Sequence, residues 1–107
     1  MKTRIAIVED DPHYRAGLSA LLSAEPTFVV EDLFSAATPL VEKLERAEAA
    51  PPWDLVIMDL GLPGMSGITA IRRAKKQHAE LPIVAFTVFE EPATILDAIC
   101  AGADGYE

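Results

Sequence analysis

The sequence predicts a single α/β domain built on a doubly wound parallel sheet. Three observations support this class: short apolar runs alternate with longer amphipathic stretches, the apolar runs are rich in β-branched residues, and the chain has only 107 residues. Continuous apolar runs of this kind are typical of strands that are buried on both faces of a parallel sheet. A chain of this length forms one hydrophobic core, so we expect one domain over residues 1–107.

Four apolar runs are predicted to be strands, at residues 4–8, 27–30, 53–58 and 81–86, and a fifth strand is expected to begin near residue 104. The segments between them have helical spacing of apolar residues. The predicted inward faces are Tyr14, Leu18, Leu21 and Leu22; Leu40, Val41 and Leu44; Ile68, Ile71 and Ala74; and Ile95, Leu96 and Ile99. Right-handed crossovers between parallel strands then place helices on both faces of the sheet.

The ends of the helices have sequence signals of their own. The pairs Asp11-Pro12 and Glu91-Pro92 put proline where the first helical turn tolerates it, and Asp11 stands at the cap position of its helix. Ser66 is predicted to cap the third helix. Gly102 is predicted to end the fourth helix in a left-handed conformation.

Composition and charge exclude several classes of function. Seventeen acidic against nine basic side chains give a net charge of −8, which repels phosphate backbones, so we do not expect this domain itself to bind nucleic acid. The single cysteine, Cys100, excludes an internal disulfide and a multi-cysteine metal site. No apolar run approaches the roughly 20 residues that span a bilayer, so we expect no membrane contact and a cytoplasmic protein.

Several remaining side chains are given ordinary structural roles. The basic residues of the third helix are interpreted as a solvated face rather than a nucleic-acid patch. His78 follows them and is interpreted as a cation at the helix C-terminus, and Trp53 is interpreted as a core residue. With only two separated histidines in the chain, a metal site would have to use oxygen ligands, which favours a hard cation such as magnesium.

Acidic side chains follow two of the predicted strands. Glu9, Asp10 and Asp11 come after the first strand, Asp59 ends the third, and Thr87 follows the fourth. The carboxyl ends of parallel strands meet at one edge of the sheet, where ligands bind in this architecture. Clustered carboxylates repel one another unless a cation lies between them. We therefore expect a magnesium site made by Glu9, Asp10 and Asp59, whereas Asp11 is better explained as a helix cap.

The segment after Asp59 is suited to close contact with a small charged group. Residues 60–67 contain three glycines and one proline, which allow the backbone to wrap closely around a ligand. A carboxylate held there can act as a nucleophile toward a phosphoryl donor if a cation offsets the repulsion between them. The hydroxyl of Thr87 could then donate a hydrogen bond to a phosphoryl oxygen.

Four motifs together resemble the receiver domain of bacterial two-component response regulators, over nearly the whole chain. They are residues 8–12 (VEDDP), 54–67 (DLVIMDLGLPGMSG), 82–87 (PIVAFT) and 101–106 (AGADGY). The last motif and the residues after Thr87 are most similar to regulators that carry a helix-turn-helix DNA-binding output domain. The resemblance implies a flavodoxin-like strand order, 2-1-3-4-5.

The resemblance also implies roles for individual residues. Asp59 would accept a phosphoryl group from a sensor histidine kinase. The cofactor would be Mg²⁺, held by the carboxylates of Glu9, Asp10 and Asp59 and by the backbone carbonyl of Gly61. Thr87 would be the switch hydroxyl and Tyr106 the switch aromatic residue. Enzymatic activity would be limited to the domain's own phosphorylation and slow dephosphorylation.

The chain departs from the family pattern at its end. The lysine that pairs with the phosphoryl group in the family follows the tyrosine by about three residues, whereas this sequence stops at Glu107. The resemblance therefore implies a receiver truncated in its fifth strand, with the last helix and a C-terminal DNA-binding output domain missing. Such a chain is expected to expose an apolar face of the sheet, which makes a second copy of the chain a candidate partner.

Other functions remain open from the sequence alone. A degenerate or truncated receiver could act as an interaction or dimerisation module that does not need phosphorylation. A phosphatase with an aspartyl nucleophile would want a second aspartate as general acid at the position of Gly61, which argues against turnover. A flavin-binding module would want Ser, Thr and Gly after the first strand, where this chain is acidic.

Overall fold

The computed structural model describes residues 2–87, 92–93 and 95–96. Strands and helices alternate along these residues in the order β1 (Thr3–Val8), α1 (Pro12–Ser23), β2 (Phe28–Phe34), α2 (Ala37–Arg46), β3 (Leu55–Asp59), α3 (Gly67–Gln77) and β4 (Ile83–Phe86). Residues 92–93 and 95–96 are helical as well. The predicted fifth strand and the helix end at Gly102 lie outside the described residues.

The described strands form one parallel sheet with the order β2-β1-β3-β4, which confirms the α/β class and the first four positions of the expected order. Strand β1 pairs with β2 on one side and with β3 on the other. The strand order therefore reverses at β1: β2 is added on one side of β1, and β3 and β4 are added on the other. In this architecture the crevice beside such a reversal, at the carboxyl ends of the strands, is where ligands bind.

Helices cover both faces of the sheet. One core cluster joins alternate strand residues to α2 and α3, and it includes Ala6, Val8, Val56, Met58, Leu40, Val41, Leu44, Ala70, Ile71 and Ala74. The other joins the intervening strand residues to α1 and to Ile95, and it includes Ile5, Ile7, Leu55, Ile57, Val84, Phe86, Leu18 and Leu22. The alternation follows from the two-residue period of a strand, which sends successive side chains to opposite faces.

One of the sequence predictions about apolar faces is wrong. Ile68 is 42% exposed, because the buried face of α3 is set by Gly67, Ala70, Ile71 and Ala74, and Ile68 is turned away from it. The expectation of an exposed apolar sheet face stays a prediction. On the α1 side of the sheet, Ile5, Ile7, Ile57 and Phe86 are buried beneath α1 and Ile95, whereas Leu33, which pairs with Ile7, is 48% exposed.

All four described strands differ from their predicted boundaries, β1 only by beginning at Thr3 rather than at residue 4. Strand β2 continues to Phe34 rather than ending at Val30, and a register shift that pairs Ile5 with Val30 and Ala6 with Asp32 leaves Glu31 as an extra residue in the ladder. Strand β3 begins at residue 55 rather than 53, and strand β4 at 83 rather than 81. Their predicted first residues instead anchor the strand ends, as in the bonds between Asp54 and Arg4.

The predicted caps of the first and third helices are confirmed. The carboxylate of Asp11 accepts hydrogen bonds from the backbone N–H groups of His13 and Tyr14, with Pro12 in the first helical turn. The hydroxyl of Ser66 accepts a hydrogen bond from the N–H of Thr69 at 3.1 Å. Both caps satisfy donors that a helix N-terminus leaves without partners, and so they fix where α1 and α3 begin.

His78 has a different role from the one predicted. It is 7% exposed, and its Nε2 donates a 2.8 Å hydrogen bond to the carbonyl of Leu44 in α2. Arg73 and Gln77 reinforce the same helix pair, since Arg73 binds the carboxylate of Glu45 and Gln77 donates to two carbonyls of this segment. His78 is therefore part of the α2–α3 contact rather than a solvent-exposed side chain.

None of the helices in the described part of the chain combines the length and apolarity that crossing a bilayer requires.

Candidate metal centre

Three acidic side chains meet at the carboxyl edge of the sheet. Strands β1 and β3 pair in register up to Val8 and Met58, so the next residues, Glu9 and Asp59, lie side by side at the carboxyl ends of the two strands. Asp10 follows in the turn that leads to α1. Glu9, Asp10 and Asp59 each place one carboxylate oxygen within 4.8 Å of those of the other two. The topology thus brings together the residues that the sequence places at strand ends.

Glu9 is fully buried and is held at several atoms. Its N–H donates to the carbonyl of Phe34 at 3.0 Å, which continues the sheet beyond β1. Its Oε2 accepts a 2.8 Å hydrogen bond from the N–H of Asp11, and its carbonyl accepts a 2.7 Å hydrogen bond from Nη1 of Arg15. Its remaining carboxylate oxygen, Oε1, is buried and has no hydrogen-bond partner.

Asp59 is held in a similar way. Its Oδ1 accepts a 2.8 Å hydrogen bond from the N–H of Gly61, whereas its buried Oδ2 has no partner. The following residue, Leu60, donates to the carbonyl of Phe86 at 2.8 Å and ties the end of β3 to β4. The side chain of Asp59 is therefore fixed at the end of a central strand, with one oxygen left available.

Two glycines shape the segment between Asp59 and α3. Gly64 has a φ of +74°, a left-handed conformation that glycine adopts readily and that residues with a Cβ rarely adopt. Gly67 begins α3 directly against the backbone of β3, since a Cβ there would lie 2.6 Å from the carbonyl oxygen of Asp59 and 2.9 Å from Cα of Leu60. The turn-rich sequence of residues 60–67 thus lets α3 start close to the acidic cluster.

The residues of the cluster fit a divalent cation. A buried polar atom without a hydrogen bond costs free energy, and a carboxylate oxygen costs more than a neutral one. Glu9 and Asp59 each hold one such oxygen, and both belong to the same cluster. An all-oxygen donor set with carboxylates and open positions for water matches the preference of Mg²⁺.

Burial raises the pKa of Glu9 from its ordinary value of 4.5 to about 7. The N–H of Asp11 opposes this shift by stabilising the ionised form, while the neighbouring carboxylates of Asp10 and Asp59 add to it. Near neutral pH, a proton on Glu9 therefore competes with a cation for this cluster.

The other predicted site residues are Thr87, Gly61 and Tyr106, and the structure describes the first two of them. Thr87 is half-buried and directly follows Phe86, the β4 residue that pairs with Asp59, so it belongs to the same edge of the sheet. The described contact of Gly61 is the one from its N–H to Asp59, and coordination by its carbonyl stays a prediction. Tyr106 lies outside the described residues.

Arg15 is a residue of this site that the sequence analysis missed. It stands in the second turn of α1, and its guanidinium reaches back to the carbonyl of Glu9. A signal was present in the sequence, because a cation one helical turn after Asp11 is placed to interact with the acidic turn before the helix.

The fold and site together define a doubly wound α/β domain with an acidic cluster at its strand-order reversal. The family model for the response regulator receiver domain matches residues 5–106. The chain belongs to this family, as its motifs predicted.

Curated relatives of the chain include regulators and one enzyme. The chain is 31% identical to the nitrate/nitrite response regulator protein NarL of Escherichia coli K12 over 95% of its own length and 45% of that protein. It is 35% identical to a protein-glutamate methylesterase/protein-glutamine glutaminase of Pseudomonas putida over 99% of its own length and 28% of that protein. The chain thus spans less than half the length of these relatives.

Solved structures agree with the family assignment. A two-component response regulator of the LuxR family from Aurantimonas is 31% identical, with a TM-score of 0.74 over 98% of this chain and 72% of that one. The isolated receiver domain of RcsB from Salmonella enterica, determined with the phosphomimetic BeF3-, is 27% identical, with a TM-score of 0.71 over 94% of this chain and 72% of that one.

Proposed function

We propose that this receiver domain is a phosphorylation-switched signalling module in which Asp59 accepts a phosphoryl group from a sensor histidine kinase. The observation that carries the proposal is the pair of buried, unpartnered carboxylate oxygens on Glu9 and Asp59 within one acidic cluster. A cluster of this kind is unfavourable by itself and becomes favourable when a cation and a phosphoryl group occupy it. The parallel with RcsB, determined with a phosphomimetic, supports the same chemistry here.

The chemical step is a phosphoryl transfer to a carboxylate. One oxygen of Asp59 forms a bond to phosphorus while the bond from phosphorus to the donor's imidazole nitrogen breaks, and the imidazole leaves with the electron pair and takes up a proton. Gly61 holds the other oxygen in place through its N–H, which orients the carboxylate for attack. Bound Mg²⁺ supplies positive charge that offsets the repulsion between Asp59 and the phosphoryl oxygens.

The cation ligands in this proposal are Glu9, Asp10 and Asp59, with the carbonyl of Gly61 as a further donor. Glu9 and Asp59 are fully buried and fixed by backbone N–H groups, whereas Asp10 is exposed. The two fixed residues define the position of the site. The exposed residue leaves one side open to water and to an incoming phosphoryl donor.

The switch works through the charge that the phosphoryl group adds. A phosphoryl group brings about −1.5 to −2 charge and strong acceptor oxygens. We propose that the hydroxyl of Thr87, on the neighbouring strand end, donates to one of these oxygens and draws the segment after β4 toward Asp59. Tyr106 would then turn inward behind Thr87 and alter the surface that a partner contacts.

The output of the switch is proposed to be transcriptional. The relatives of this chain include response regulators, and the chain covers 45% of NarL, so the whole protein is proposed to carry a C-terminal DNA-binding domain. The receiver domain, with its net charge of −8, is proposed to contact the kinase and a second receiver rather than DNA. We place this module in the cytoplasm and assign it no turnover of an external substrate.

The proposal is tested by incubating the chain with acetyl phosphate and Mg²⁺ and measuring its intact mass. Wild type is expected to gain one phosphoryl group, and Asp59→Asn is expected to gain none. Asp54→Asn is a matched control, because Asp54 precedes the same strand at its other end, where it binds Arg4. It is expected to be labelled as wild type is.

Two outcomes would contradict the proposal. Equal labelling of Asp59→Asn would show that another residue is the acceptor. A folded wild-type chain that binds Mg²⁺ but takes up no phosphoryl group would favour a module that acts without phosphorylation.

A further inference from the structure

The guanidinium of Arg15 binds a backbone carbonyl rather than a carboxylate, although the domain is rich in carboxylates. Its Nη1 donates a 2.7 Å hydrogen bond to the backbone carbonyl of Glu9. The ion pairs in the described part of the chain join Arg4, Lys43, Arg46 and Arg73 to carboxylates, and Arg15 takes part in none of them. The charge of Arg15 is thus directed at the backbone of a residue of the acidic cluster.

This hydrogen bond completes a closed network at the β1–α1 junction. The N–H of Arg15 donates to the carbonyl of Asp11, and the N–H of Asp11 donates to Oε2 of Glu9. The N–H of Glu9 is bound to Phe34 on the neighbouring strand. Glu9 is therefore held at its amide, its carbonyl and one carboxylate oxygen, and Oε1 is its one side-chain oxygen without a partner.

We propose that Arg15 is a positioning residue for the cation site: by holding the carbonyl of Glu9, it keeps the free carboxylate oxygen of that residue in place for a divalent ion. This inference rests on the proposed function, because it concerns the same cation. Groups that orient a metal ligand without touching the metal commonly change its affinity by 10-fold or more.

A simple charge effect predicts the opposite result. Arg15 is a positive group beside a cation site, so its charge alone repels Mg²⁺, and removing it would tighten binding. If Arg15 acts by positioning Glu9, removing it weakens binding in spite of the lost repulsion. The direction of the change therefore separates the two explanations.

The experiment measures Mg²⁺ binding by calorimetry and the melting temperature with and without Mg²⁺ for wild type, Arg15→Met, Arg15→Lys and Arg15→Gln. Arg15→Met keeps an apolar stem without a charge or a donor, and it is expected to bind Mg²⁺ about tenfold more weakly. Arg15→Lys can still donate to the carbonyl of Glu9 and is expected to stay within about threefold of wild type. Arg72→Met removes an exposed arginine of α3 and is expected to leave the affinity unchanged.

Equal or tighter Mg²⁺ binding by Arg15→Met would overturn the inference, and so would Arg15→Lys binding as weakly as Arg15→Met. If Arg15→Met does not fold, Arg15→Gln takes its place with the same expected weakening, because its side chain is neutral and too short to make the same bond. A wild-type chain that binds no Mg²⁺ would instead refute the proposed cation site itself. The two failures are thus distinguishable.

Discussion

Glu9 and Asp59 lie on adjacent strand ends and share one pattern of contacts. Each is fully buried, each has one carboxylate oxygen bound to the N–H of the residue two positions later, and each leaves its other oxygen without a partner. The N–H groups of Asp11 and Gly61 fix the orientation of the two carboxylates. The structure therefore holds two like charges close together in a setting that only a proton or a cation relieves.

Asp59→Asn is predicted to stabilise the metal-free protein. The change removes a buried charge beside Glu9, and the new amide can donate to a carboxylate oxygen that now lacks a partner. The expected gain is about 1 kcal/mol, which corresponds to a rise in melting temperature of about 4 °C or more for a domain of this size. Thermal unfolding in the presence of a chelator measures it. Asp10→Asn is the control, with a smaller expected gain because Asp10 is exposed.

The stability of the metal-free protein is predicted to fall as the pH rises through about 7. The pKa of Glu9 is raised from 4.5 to about 7 by burial, so the folded chain binds this proton more tightly than the unfolded chain. The resulting stabilisation is full below pH 4.5 and is lost as the pH rises through about 7. The expected loss is on the order of 1 kcal/mol, because the exposed Asp10 lies at one side of the cluster and solvent there screens part of the effect.

This pH dependence is measured by urea unfolding in a chelator at several pH values. Glu9→Gln, which cannot ionise, is expected to remove the part of the slope that Glu9 contributes. Glu48→Gln, in an exposed loop, is expected to leave the slope unchanged. A slope in Glu9→Gln equal to that of wild type would contradict the role of Glu9. Mg²⁺ binding by wild type is expected to strengthen over the same pH range, since the proton and the cation compete.

Gly67→Ala is predicted to destabilise the domain. A Cβ at this position would lie 2.6 Å from the carbonyl oxygen of Asp59 and 2.9 Å from Cα of Leu60, and neither backbone atom can move without displacing the site. The expected loss is about 2–3 kcal/mol, measured by urea unfolding. Gly17→Ala is the matched control, because nothing lies within 4 Å of its Cβ position and α1 would gain about 0.5–1 kcal/mol from alanine. Equal effects of the two variants would show that the contact at Gly67 has no energetic consequence.

Asp32→Ala is predicted to destabilise the domain through Trp53. The indole Nε1 of Trp53 donates a 2.7 Å hydrogen bond to Asp32, and Trp53 is 1% exposed. Removing the acceptor leaves a buried donor without a partner, which costs about 1–3 kcal/mol. Trp53 is the one tryptophan of the sequence, so its fluorescence reports the change directly. Glu31→Ala, at the exposed bulge beside it, is expected to have little effect on either measurement.

Local sequence signals account for much of the fold and for the location of the acidic cluster. The caps at Asp11 and Ser66 depend on neighbours within three residues, so they can be predicted from the local sequence. The meeting of Glu9 with Asp59 follows from the rule that parallel strands end at one edge. Short-range hydrogen bonding and a general rule of sheet topology were sufficient to predict these features.

Other features depend on contacts that no local pattern reports. Strand β2 was predicted too short because Glu31 and Asp32 interrupt the apolar run, although Asp32 accepts a hydrogen bond from Trp53, which lies just before β3. His78 is buried because of a carbonyl 34 residues away in α2. The contact between Arg15 and Glu9 depends on how α1 turns back over the end of β1. In each case the deciding partner is fixed by tertiary packing.

The proposed cation site is tested most directly by a calorimetric titration of the folded chain with Mg²⁺ above pH 7, comparing wild type with Asp59→Asn. Wild type is expected to bind one ion saturably and to melt at a higher temperature in its presence, and the variant is expected to lose both effects. A wild-type protein that releases no heat on titration and melts at the same temperature with and without Mg²⁺ would contradict the proposed site. So would an Asp59→Asn variant that binds the ion as tightly as wild type does.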